Sequence, residues 1–212
     1  MTAPDLKAKN SRWLWAVIIL DVAILVPIIV TSGTVDGMSI ATLMARGVAA
    51  AAAPVIVLLL TSLLSADAKA ALVFWRFKDG LPGHRAFSVY VHRDSRINLK
   101  VLRQKIGEFP ISPREQNAIW YGLSQLVAED ASVLQAHRNY LLFRDLSALS
   151  FILGIAAPIV VLLTRGTLAT ALTVFGVLFA QYVLAAIAGR HNGIRFVTNV
   201  LALHGVSPVK NT

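Results

Sequence analysis

Four apolar runs, each about the length of a membrane-crossing helix, constrain this chain more than any other feature. A bilayer core about 30 Å thick is crossed by about 20 mostly apolar helical residues. The runs extend from Trp13 to about Thr31, from Gly47 to Leu64, from Leu146 to Thr164 and from Leu168 to Ala188. The second is alanine-rich at its start, and its pattern continues as helix to Trp75. Composition agrees: the chain is 56% hydrophobic and 15% charged, against about 45–50% and about 25% in soluble domains. The expected fold class is an all-α integral membrane protein. Its four transmembrane helices form two hairpins, with a helical cytoplasmic module between spans two and three.

The first run follows Lys7, Lys9 and Arg12, as the apolar part of a secretory signal would. It is longer than the usual 7–15 residues, and no small-x-small cleavage site follows it, so it reads as a retained anchor. The cations then set direction. Three lie before the first run, eleven between Trp75 and span three, and three after span four, which is seventeen of twenty, with Lys69 near the same side. Only Arg46 and Arg165 fall in the two short outer connections. Positive charge concentrates on the cytoplasmic side. Both termini and the middle segment are therefore expected in the cytoplasm. The expected organisation is an N-terminal tail and hairpin over 1–75, a cytoplasmic segment over 76–143, and a second hairpin with a C-terminal tail over 144–212.

The middle segment carries its own signals. Asp79-Gly80-Leu81-Pro82-Gly83 is a turn cluster, and a short mixed stretch, 86–91, follows it. Asp94 or Ser95 can cap a helix presenting Leu99, Leu102 and Ile106 and ending at Gly107. Ser112-Pro113-Arg114-Glu115 has the form of a capping box with proline at the first helical position. Apolar residues then recur at helical spacing from Ile119 to Leu141, and the spacing predicts one helix from Pro113 into span three. Two such helices lack a deep core of their own, so membrane helices or a second copy are expected to complete it. Gly47, Ala51, Gly176, Ala180, Ala185 and Gly189 supply small residues suited to close helix contact.

Few residues point to chemistry. Asp21 interrupts span one, where a carboxylate costs about 2.5–3.5 kcal/mol on insertion scales. It can serve a proton or cation path, or hold helices together through a hydrogen bond, with Gln181 in span four as the expected partner. Pro27, Pro54 and Pro158 lie inside spans, where proline can act as a hinge or simply be tolerated. His84, Arg85, His92, Arg93 and Arg96 form a polar cluster suited to an anion, since guanidinium binds phosphate with a planar fork. The same residues also fit a solvated face beside anionic lipid. Trp13, Trp15, Phe74, Trp75 and Phe77 read as interfacial anchors. Arg144-Asp145 reads as a local ion pair. Cysteine is absent, which excludes disulfides, thiolate metal sites and cysteine nucleophiles. The five histidines lack metal-ligand spacing, and no phosphate-binding loop or nucleophile elbow is present. No metal or cofactor is expected, enzymatic activity has no support, and topology accounts for the charge without a nucleic-acid partner.

The runs Leu81-Pro82-Gly83-His84-Arg85-Ala86-Phe87-Ser88 and Asp94-x-Arg96-Ile97, with Phe109-Pro110-x-x-Pro113-x-x-Gln116-Asn117-x-x-Trp120-Tyr121, resemble a pattern of uncharacterised small bacterial four-span inner-membrane proteins. The layout is also similar to membrane effectors of anti-phage systems. The leading expectation is a non-enzymatic, oligomeric membrane protein, an effector or regulator, whose cytoplasmic module senses a protein partner or an anionic ligand and relays the event to its membrane helices. A small transporter or channel subunit using Asp21 is the alternative. A membrane-bound lipid-modifying enzyme ranks third.

Overall fold

Helix α1 (Ala3–Thr31) covers the first apolar run and continues through Pro27. The computed structural model describes residues 3–31, 64–164 and 166–206, and every regular element in them is helical. The second apolar run, with Pro54, lies outside the described residues.

Helix α2 (Ala66–Phe74) starts at Ser65, whose Oγ accepts the Ala68 N–H at 3.1 Å. The expected continuous helix into Trp75 is therefore interrupted, because extended backbone at Ser65 makes it an N-cap. Two short 3-10 turns, Pro82–Arg85 and Tyr90–His92, follow. Helix α3 (Leu99–Ile106) is capped by Asn98, whose Oδ1 accepts from Lys100 and Val101. The cap is thus not Asp94 or Ser95, because the Asp94 carboxylate is engaged by Arg96. Gly107 ends the helix at φ 78°, a conformation glycine adopts without steric cost.

Helix α4 (Pro113–Leu126) has proline in its first turn, as expected. The capping box does not form: the Ser112 side chain makes no cap bond. Ser112 is exposed, so solvent can meet the first-turn amides instead. The expected single helix from Pro113 into span three is also divided. Residues 127–130 form a turn, and Asp130 Oδ1 accepts from the Ser132 and Val133 amides to start α5 (Ala131–Leu163). Helix α5 runs through Pro158, and α6 (Leu168–Val206) returns beside it.

Among the described residues, two helices are long and apolar enough to cross a membrane, Ala131–Leu163 and Leu168–Gly205. At 1.5 Å per residue, helices of 33 and 39 residues are about 50 and 58 Å long. Both exceed an apolar core of about 30 Å, so each has a polar-bordered extension. The residues after Ala188, read from sequence as a tail, continue α6 to Val206 and form its second half. Phe196, Val197, Val200, Leu201 and Ala202 of α6 pack with Phe87, Val91, Leu102, Trp120 and Val133 into one core. The module therefore closes around its own α6 extension, and a second copy is not required to bury these faces.

Helix α1 lies along α5 and α6 on a strip of Asn10, Leu14, Ile18 and Asp21. Ile18 meets Leu149, and Leu25 and Ile28 pack against Val161, Val174 and Leu178. Its opposite face exposes Trp13, Trp15, Ile19, Leu20 and Ile24. Phe74, expected at an interface, is instead buried beside Tyr140, with ring centroids 6.3 Å apart. Gly193 permits this: an added Cβ would stand 2.9 Å from Phe74 Cζ and 3.1 Å from Tyr140 Cδ2.

Candidate functional site

The exit of α2, the first 3-10 turn and the start of α4 enclose a cleft of about 390 Å³. Arg76, Lys78 and Asp79 come from the α2 exit, His84, Arg85 and Ser88 from the turn region, and Ile111, Pro113 and Gln116 from the start of α4. Three fixed cations thus share the cleft with one carboxylate. The walls are held by Gln116, which is 1% exposed. Its Oε1 accepts the Phe87 and Ser88 N–H groups, each at 3.1 Å, and its Nε2 donates to the Ile111 carbonyl at 3.2 Å. One buried amide therefore joins the turn, the 107–112 connection and α4. Gly83 brings the turn close enough: a Cβ there would lie 2.5 Å from Trp120 Cε3. Among the described residues, His84 Nδ1 is buried without a hydrogen-bond partner.

Of the five residues expected to bind an anion, the structure brings two to this cleft, His84 and Arg85. His92 is exposed. Arg93 lies over the Tyr90 ring at 5.8 Å. Arg96 is committed to structure: it donates to both Asp94 oxygens, at 3.0 and 2.6 Å, and to Asn199 Oδ1 at 2.9 Å. Hydrogen bonds from Arg96 hold the Asp94 carboxyl below its ordinary value. Arg76, Lys78 and Gln116 were not expected. The alternation Trp75-Arg76-Phe77-Lys78 is the local signal for the first two; a buried glutamine has no periodic signature.

The cationic character extends past the cleft. Burial pushes the Tyr90 hydroxyl above its ordinary value, against the opposing fields of Arg85, Arg93, Arg76 and Arg190. Arg190 sits 4.4 Å from the centre of the Trp75 ring and donates to the Phe74 carbonyl at 2.6 Å. Trp75 Nε1 donates to the Tyr182 hydroxyl at 3.1 Å. These contacts hold Trp75 at φ 53°, a left-handed backbone that costs a side-chain-bearing residue about 1–2 kcal/mol.

Two further polar clusters lie between helices. Lys69 of α2 and Arg144 of α5 both donate to Asp145 Oδ1, each at 3.0 Å, and both cations are buried. The expected Arg144-Asp145 pair is thus part of a three-residue bridge from α2 to α5. Between α1 and α6, Gln181 Nε2 donates to Asp21 Oδ2 at 3.2 Å, so these two expected partners do meet. Pro27 and Pro158 are inside continuous helices. Trp13, Trp15, Trp75 and Phe77 are exposed.

Among the described residues, no group of histidine, aspartate and glutamate is placed to hold a metal ion. Fixed cations, a helix start and a rigid floor suit an anion in this cleft. No family model, curated protein or solved structure matches this chain.

Proposed function

We propose that the chain is a non-enzymatic regulator or effector of a bacterial inner membrane, in which a cytoplasmic module binds an anion and relays the event to membrane helices. The layout under this reading is four spans in two hairpins, with both termini and the module in the cytoplasm. The single observation that carries it is continuity. Helices α5 and α6 each supply residues to the module core and to the apolar contacts around Val161 and Leu178. A displacement at the cleft moves α2, which packs on both long helices. Close-packed helices transmit such displacements rather than absorbing them. The outward faces support the membrane setting, since Ile155, Ile159 and Leu162 on α5 and Leu172, Phe175 and Phe179 on α6 are all exposed. An apolar surface this continuous belongs in lipid or against another copy of the chain.

The test is membrane potential, read by dye fluorescence in cells expressing the chain. Wild-type chain is expected to depolarise the cells. An Arg76→Gln/Arg85→Gln variant of equal membrane abundance is expected not to. Equal depolarisation by both would sink the relay from the cleft, and a normal potential with both would sink the membrane output.

A second reading has one observation in its favour, the Asp21–Gln181 contact. A buried carboxyl at this depth suits a proton or cation path through an assembled channel. Flux in vesicles that survives Asp21→Asn would remove it.

A further inference from the structure

We infer that the basic cleft receives the phosphate headgroup of an anionic membrane lipid, with Trp75 and Phe77 seated in the bilayer interface beside it. This rests on the membrane reading above and names the ligand of the same cleft. Trp75-Arg76-Phe77-Lys78 alternates aromatic and cationic residues. Arg76 and Lys78 line the cleft, while Trp75 is half-exposed and Phe77 fully exposed. A fully exposed phenylalanine gains nothing from packing in water. At the bilayer interface, aromatic rings are favoured.

The depth of this segment is set by other residues. Trp75 bonds to Tyr182, inside the fourth apolar run, and stacks on Arg190, just beyond that run. Eight residues of helix separate the two, about 12 Å. Trp75 therefore stands level with the last turns of the run, where headgroups begin. Arg76, the next residue, opens the cleft at that level.

The charge balance matches the ligand. Arg76, Lys78 and Arg85 outnumber Asp79, the carboxylate that shares the cleft, and no hydrogen bond or ion pair among the described residues occupies their side chains. Guanidinium forks suit a phosphodiester. A soluble anion would leave the fully exposed Phe77 ring at the rim without a role; a lipid uses it, with its phosphate in the cleft and its acyl region beside Phe77.

The test uses the full chain in nanodiscs of phosphatidylcholine with or without phosphatidylglycerol. Retained lipid is then counted by native mass spectrometry. Wild-type chain is expected to retain phosphatidylglycerol preferentially. A juxtamembrane cation contributes about 1 kcal/mol, which is about fivefold per charge. Lys78→Gln should lower the preference about fivefold and Arg76→Gln/Arg85→Gln about 25-fold. Phe77→Ser should lower retention as well. Lys78 and Phe77 are exposed, so these two variants keep the fold. Lys100→Gln, an exposed charge on α3, should change nothing. An unchanged preference in Lys78→Gln and Phe77→Ser overturns the assignment, and so does an equal loss in Lys100→Gln. Binding of inorganic phosphate in pure phosphatidylcholine discs, unaffected by Phe77→Ser, would make this a soluble-anion site and also overturn it. A chain that does not enter nanodiscs at all would instead defeat the membrane reading.

Discussion

Gln181 of α6 donates its side-chain amide to a carboxylate oxygen of Asp21 in α1, 3.2 Å away and between otherwise apolar helix faces. The contact ties α1 to the α5–α6 pair at the level of the apolar helices. A buried polar group left without its partner costs about 1–3 kcal/mol. Gln181→Leu is therefore expected to destabilise the detergent-solubilised chain by that amount, read as thermal unfolding. Asp21→Asn keeps a side chain able to accept from Gln181 and should cost less. If Gln181→Leu unfolds like wild type, the contact does not hold α1 in place.

Asp145 is shared by two buried cations, Lys69 and Arg144, and all their bonds converge on the same oxygen. Removing one partner of a buried pair leaves an uncompensated charge and costs about 3–5 kcal/mol. Asp145→Asn leaves two. It should be the most destabilising single polar substitution among the described residues, with unfolding starting where α2 meets α5. Lys69→Met removes one excess cation and keeps its packing, so it should cost far less. Hydrogen exchange along α2 would separate the cases: strong loss of protection is expected in Asp145→Asn, and near-native protection in Lys69→Met.

The floor of the cleft is held by Gln116, and its loss should be felt on both sides. Gln116→Leu leaves the Phe87 and Ser88 amides unpaired, at about 1–3 kcal/mol each. Gly83→Ala attacks the same joint sterically, because the buried Trp120 ring cannot retreat from a Cβ 2.5 Å away. Overpacking of this kind costs about 1–3 kcal/mol. Both variants should lower the unfolding midpoint and loosen the turn over 82–89, seen as faster amide exchange there. Exchange that stays native in both would show that the turn is held by other contacts.

How much of this was legible in the sequence differs between the framework and the site. Apolar runs three and four reappear as the second half of α5 and the first half of α6 because lipid-length hydrophobicity is a local property. The Asp21–Gln181 contact was legible for the same reason: each residue is a polar interruption in its own run. The end of α6 was not. Phe196, Val197, Val200 and Leu201 carry a helical pattern, but Arg190, His191, Asn192 and Arg195 dilute it. The break at Asp130 is a single capping side chain within an apolar periodicity that does not lapse. The polar cluster read from the sequence is divided in the structure: Arg85 lines the cleft, whereas Arg96 is engaged by a carboxylate. Arg96 has Asp94 two residues away, whereas Arg85 does not.

The Asp94–Arg96 pair gives the module a pH dependence whose sign can be worked out. Asp94 has its carboxyl pulled below the ordinary value, first by the hydrogen bonds from Arg96. A group with a depressed folded-state pKa binds its proton more readily when unfolded. Its contribution is therefore fully present above the unfolded value, about 3.9, and is lost as the pH falls through the folded value. The pair also holds α6, since the same guanidinium reaches Asn199, whose amide bonds the Ser132 carbonyl at the start of α5. Acidification from pH 6 to about pH 3 should thus lower the unfolding midpoint of wild-type chain more than that of Asp94→Asn. Arg96→Gln should flatten the same part of the profile, because the carboxyl then titrates nearer its ordinary value. Parallel profiles for all three proteins would show that the pair contributes nothing to the module's stability.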